Sequence, residues 1–123
     1  MVGIFLPKQR VIDFPITALR FDDQIQTILR WAIARESKTV CVANVHMLME
    51  AHWNPEFATV LKNADIITPD GMPLVWMMRL LGARYQDRVA GMDVLLALCK
   101  LAQTQNVSVF FAGSQLDILS RMQ

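Results

Sequence analysis

Asp70 stands in Ile-Ile-Thr-Pro-Asp-Gly-Met, between a run with the character of a buried strand and an apolar helical run. Pro69 and Gly71 shape a turn on either side of it. A carboxylate at such a corner can accept a proton from a substrate hydroxyl, which is the work of a general base. It can equally cap the helix beginning at Met72, because Asp-Gly turns and Asp N-caps are common. Asn44 occupies the equivalent place after the preceding strand. Its amide can donate to and accept from a sugar or ribose hydroxyl, or serve as an ordinary N-cap. Arg88, in Gln-Asp-Arg-Val-Ala-Gly-Met-Asp, falls just ahead of a helix start near Gly91. A guanidinium fork beside helix N–H groups suits a diphosphate, and a surface ion pair with Asp87 or Asp93 explains the residue almost as well. Gly113-Ser114 could let the backbone approach a ligand closely. His46 and His52 are six positions apart and share no helix face, so both read as non-metal, with His46 the closer to the crevice.

Several chemistries lack their residues. No Gly-x-Gly-x-x-Gly, phosphate-loop Lys-Ser or Lys-Thr, or Asp-x-Asp pair is present, and no Ser or Cys sits in a nucleophile elbow. The expectation is therefore no cofactor and no metal. Lys plus Arg is 12 and Asp plus Glu is 11, so nothing in the charge calls for nucleic acid. Cys41 and Cys99 lie inside apolar runs and read as reduced core residues of a cytoplasmic protein. The N-terminal apolar stretch is too short for a secretory signal, and Met72 to Met78 is far short of the ~20 residues of a spanning helix.

The elements that must position these residues follow from the pattern. Val2–Leu6 and Val11–Ile16 are β-prone runs separated by Pro7-Lys8-Gln9-Arg10, which predicts a short N-terminal β-ribbon with Pro15 at an edge. Asp22 and Asp23 supply helix-start chemistry, and Ile25, Ile28, Leu29, Ala32 and Ile33 follow at helical spacing toward Arg35. Thr39–Ala43 and Ala64–Thr68 are unbroken apolar runs, as in parallel strands covered on both faces. Helices are predicted after Asn44, from Pro55 through Lys62, over Met72–Leu81 and over Met92–Gln103. Val107–Ala112 reads as a third buried strand, followed by a helix from about Gln115. This alternation predicts an α/β fold: a Rossmann-like parallel sheet with flanking helices. Ligands of such sheets sit outside the carboxyl ends of the strands, where Asn44, Asp70, Gly71 and Gly113 fall. The chain is 123 residues long, a length for one domain, and 54% of it is hydrophobic. That excess suggests a single but partial domain, truncated at its C-terminus and prone to pair with itself through an open sheet edge.

Four blocks together resemble the WecG/TagA/CpsF glycosyltransferases: Asn44-Val-His-Met-Leu-Met, Ala-Asp-Ile-Ile-Thr-Pro-Asp70-Gly-Met-Pro-Leu-Val-Trp, Arg88-Val-Ala-Gly-Met-Asp93 and Phe-Phe-Ala-Gly-Ser. The resemblance implies an inverting, metal-independent transferase of cell-wall and cell-surface polysaccharide synthesis. It would move an N-acetylmannosamine-type sugar from a UDP donor to a sugar on polyprenyl diphosphate at the cytoplasmic membrane face. It implies Asp70 as general base, Asn44 as a polar active-site position and Arg88 as an arginine of the substrate-binding pocket; Gly71, His46 and Gly113 join them as candidate substrate-binding positions by their place near the strand ends. Val42 departs from the pattern, since the family commonly has a hydroxyl residue two places before the Asn. The family also runs well past this length, and its membrane contact comes through a later region. A catalytically silent binding module that kept the sheet is the other reading of the chain.

Overall fold

The computed structural model describes residues 6–112. The chain opens with an antiparallel hairpin, β1 (Lys8–Val11) and β2 (Phe14–Thr17), in which Val11 faces Phe14 across a two-residue turn. The turn residues Ile12 and Asp13 both have positive φ, 48° and 68°, the geometry that matches strand twist in a tight hairpin. Asp tolerates that conformation well and a β-branched residue poorly. Packing of Ile12 against the main core offsets the cost. The ribbon predicted from sequence is thus present, but its turn lies at 12–13. Lys8 to Arg10, read as the connection, are strand residues, because alternation of Gln9, Val11, Phe14 and Ile16 on one face decides the register. Most of the first predicted run lies outside the described residues.

Helix α1 (Phe21–Ile33) places Ile25 and Leu29 inward and Asp22 and Asp23 in its first turn. The N-cap is Arg20, and no side chain of the first turn caps it. The free N–H of Phe21 instead donates to Asp87 Oδ1 at 3.0 Å, from a loop 66 residues away. The helix then leads to β3 (Val40–Ala43), α2 (Val45–Trp53), α3 (Pro55–Lys62) and β4 (Ile66–Pro69). Pro55 opens α3, where its missing N–H costs nothing. Strands β3 and β4 pair in parallel, with Val42 opposite Thr68 and Ala43 opposite Pro69. Helix α4 (Met72–Leu80), a loop and α5 (Gly91–Thr104) complete the order.

The parallel pair separates two cores. Ala43 and Ile67 look toward the hairpin and helices α2, α3 and α4, with Leu48, Leu61, Leu74 and Met78. Val42 points the opposite way, toward α5, whose companion cluster holds Ile25, Val89 and Val94. The chain is α/β as predicted, with one correction. Val107–Ala112 is not a strand: Val109 is 45% and Phe110 91% exposed, and the parallel sheet has two strands among the described residues. A run of β-branched and aromatic residues becomes a strand only where a neighbour offers a ladder. Here α5 ends in a left-handed Asn106 (φ 55°), and the chain leaves without meeting an edge. The predicted helix after Gln115 lies outside the described residues.

Candidate active site

The site is built at the carboxyl ends of β3 and β4. The backbone N–H of Asp70 donates to Ala43 O at 2.9 Å, so the parallel ladder runs one residue past β4 and holds the Asp beside the corner of β3. On the other edge of β4, Ile67 N–H donates to Thr17 Oγ1 at 3.1 Å and Val89 N–H donates to Pro69 O at 2.8 Å. Three segments distant in sequence thereby converge: Asn44, Asp70-Gly71, and Arg88 to Gly91.

At the first corner, Asn44 is the N-cap of α2, and its Oδ1 accepts from Met47 N–H at 2.9 Å. The capping alternative is realised, and it leaves the amide NH2 to face outward. At the second corner the N-cap of α4 is Gly71, with no side-chain cap. Asp70 lies one residue too early to reach the first-turn N–H groups. Among the described residues its carboxylate accepts no hydrogen bond and joins no ion pair, so the capping alternative is not realised. Gly71 has an ordinary φ of −104°. A β-carbon there would lie 3.5 Å from Asn44 Cβ, which places the two corners in contact.

Arg88 is exposed, and the ion pair with Asp87 or Asp93 does not form. Asp87 is occupied elsewhere, accepting from Phe21 N–H and lying 3.7 Å from Arg20 Nε. The Arg88 guanidinium is therefore unpaired among the described residues, while its neighbours Asp87 and Val89 are pinned by hydrogen bonds. Next to it, Val89 is buried against β4. Buried Gln86 donates from Nε2 to Leu19 O at 2.7 Å and to Asp87 O at 3.0 Å, and its own carbonyl accepts from Arg79 Nε at 2.8 Å. Sequence reasoning passed over Gln86 and weighed Asp87 only as one alternative ion-pair partner of Arg88. Their partners are 66 and 67 residues away, so no local pattern marks them.

His46 is not drawn into this convergence. It is exposed on α2, with Nε2 2.8 Å from Glu50 Oε1 one turn along. His52 lies 3.7 Å from Asp13 on the hairpin turn. Gly113 lies outside the described residues. Gly91, the first residue of α5, sits on Val42: a β-carbon there would come within 3.3 Å of both Val42 methyl groups. Thr68, the register partner of Val42, is fully buried, and its hydroxyl has no hydrogen-bond partner. A hydroxyl residue at position 42 would stand beside it. Cys41 and Cys99 are free, and burial pushes the Cys41 thiol pKa up.

The family model described as Glycosyl transferase WecG/TagA/CpsF family matches residues 9–123. The chain belongs to this family. An N-acetylglucosaminyldiphosphoundecaprenol N-acetyl-beta-D-mannosaminyltransferase from Bacillus spizizenii is 35% identical over 81 residues, 66% of this chain and 32% of that protein. Its namesake from Bacillus subtilis is 30% identical over 80 residues, 65% of this chain and 31% of that protein. The chain spans about a third of the length of the curated relatives it matches. Among the described residues, no helix is long and apolar enough to cross a membrane.

Proposed function

We propose that this chain forms the acceptor-activating part of a UDP-sugar-dependent transferase acting at the cytoplasmic membrane face. The enzyme moves an N-acetylmannosamine-type sugar onto a sugar carried by polyprenyl diphosphate. Asp70 takes the proton of the acceptor hydroxyl as that oxygen attacks the anomeric carbon. The bond to UDP breaks on the opposite side, UDP departs with the electron pair, and the configuration inverts. Arg88 and the N–H groups opening α5 hold the departing diphosphate, where negative charge develops. The amide NH2 of Asn44 donates to a sugar hydroxyl. One base and one anion holder suffice for such a displacement, without a metal or a carboxylate nucleophile.

The observation that carries this reading is the contrast in engagement. Asp70 is anchored by its own N–H on Ala43 O, and Arg88 through the N–H of its neighbour Val89 on Pro69 O, yet their charged ends are committed to nothing among the described residues. Family membership and the names of the two relatives support the same chemistry. The test is Asp70→Asn in the active protein, which keeps shape but cannot take the proton. Transfer is expected to fall by roughly 10²–10⁴-fold with donor affinity little changed. Near-normal transfer by the folded variant would remove Asp70 from the reaction.

A further inference from the structure

The loop ahead of α5 is fastened from the inside by a glutamine. Gln86 is 4% exposed, and its Nε2 donates to two carbonyls, Leu19 O at 2.7 Å and Asp87 O at 3.0 Å. Its own backbone carbonyl accepts from Arg79 Nε at 2.8 Å, which ties the loop to α4. The Asp87 carbonyl belongs to the peptide unit whose nitrogen is that of Arg88. A peptide unit is planar, so a bond to its oxygen also fixes the nitrogen and the Cα from which the Arg88 side chain leaves. On the other side of Arg88, Val89 N–H donates to Pro69 O at 2.8 Å. Arg88 thus springs from a backbone held at both neighbours, with two residues between it and the start of α5 at Gly91.

We propose that Gln86 is a positioning residue for the diphosphate: acting through the Asp87–Arg88 peptide, it aims the Arg88 guanidinium at the anion. The proposal rests on the reading of Arg88 given above and adds the group that sets its direction. An arginine side chain gives up much rotational freedom on binding, and a fixed origin reduces the freedom it must lose. Gln24 supplies an internal contrast. It is fully buried on α1, and its Nε2 donates to the same Leu19 O at 2.8 Å. Its Oε1 has no partner among the described residues. Two buried glutamines therefore share one acceptor, and only Gln86 carries the connection on to the peptide of Arg88.

The experiment is calorimetric titration of UDP into the active protein and into Gln86→Met, Gln24→Met, Arg88→Ala and the double variant Gln86→Met with Arg88→Ala. Gln86→Met keeps the side-chain length and loses both donated bonds. UDP affinity should fall about three- to tenfold, the range to which one or two hydrogen bonds convert. In the Arg88→Ala background the same change should move affinity less than twofold, because the side chain it positions is gone. Gln24→Met should also stay within twofold, whatever its melting temperature. In a transfer assay Gln86→Met should raise the donor KM and leave the acceptor KM unchanged. A fall in kcat alone, with both KM values kept, would mean lost folded protein and would overturn the proposal. Equal weakening in both backgrounds, or a like weakening by Gln24→Met, overturns it in favour of general support of the loop. Arg88→Ala separates the two readings. If it weakens UDP binding and folded Gln86→Met does not, the positioning role falls and anion binding by Arg88 stands; if Arg88→Ala changes nothing, both fall. Should Gln86→Met not fold, Gln86→Asn, whose amide stops one carbon short, is judged by the same outcomes.

Discussion

The two strand-to-helix corners of the parallel pair look alike in sequence and behave differently. Each strand ends in a side chain bearing a carboxamide or carboxylate oxygen, Asn44 after β3 and Asp70 after β4. Helix α2 begins immediately after Asn44, which makes Asn44 the N-cap and spends its oxygen on Met47 N–H. Gly71 intervenes between Asp70 and α4, takes the cap position itself, and leaves the carboxylate uncommitted among the described residues. One residue of spacing thus separates a structural oxygen from one available to chemistry. The same division appears in the neighbouring loop. Asp87 is consumed in capping α1 and pairing with Arg20, and Arg88, one residue on, is unpaired among the described residues.

The sharpest way to break this comparison is to remove each oxygen in turn. Asp70→Ala is expected to abolish most transfer, by about 10²–10⁴-fold, with an unchanged melting temperature because no cap is lost. A large drop in melting temperature would show that Asp70 holds the corner together. Arg88→Ala should weaken binding of UDP-sugar or of the lipid diphosphate by about 1.5–3 kcal/mol, with Arg88→Lys losing less, as calorimetric titration would read. Unchanged affinity would return Arg88 to the loop.

Asn44→Ala carries the opposite signature at the first corner. It should cost ~1 kcal/mol of stability in denaturant unfolding, the usual price of a lost N-cap, whereas Asn44→Asp should retain the cap. Equal destabilisation by both would mean that the amide nitrogen, and not the capping oxygen, matters to the fold. The smallest effect is expected from Val42→Thr. A hydroxyl beside the unpartnered Thr68 can form a cross-strand hydrogen bond and raise stability by ~0.5–1 kcal/mol. A clear loss in the same unfolding measurement would show that contact with Gly91 needs the methyl group more than Thr68 needs a partner.

Elements with strong local signals were legible in the sequence to within a residue or two. The helix at Pro55–Lys62 follows from Pro55 at its first turn. The two parallel strands follow from unbroken apolar runs, and α4 follows from the apolar run after the break at Pro69-Asp70-Gly71. The segment Val107–Ala112 carries the same kind of strand signal and lacks the structure, because a strand needs a partner as well as propensity. Candidate site residues were legible as types at strand ends. Their states were not.

What the sequence by itself determined is therefore the order of elements, the α/β class and the identity of Asn44, Asp70 and Arg88 as residues at or near strand ends and a helix start. These depend on periodicity and on residue types within a few positions of one another. Only the tertiary structure decided which polar groups are consumed. Asp87 reaches Phe21 N–H across 66 residues, Gln86 reaches Leu19 O across 67, and Val89 closes on Pro69 O. Those bonds bring the Arg88 segment to the end of β4 beside Asp70. A hydrogen bond's donor and acceptor need to be close only in space, so chain spacing cannot reveal which oxygen a fold will use and which it will leave for a substrate.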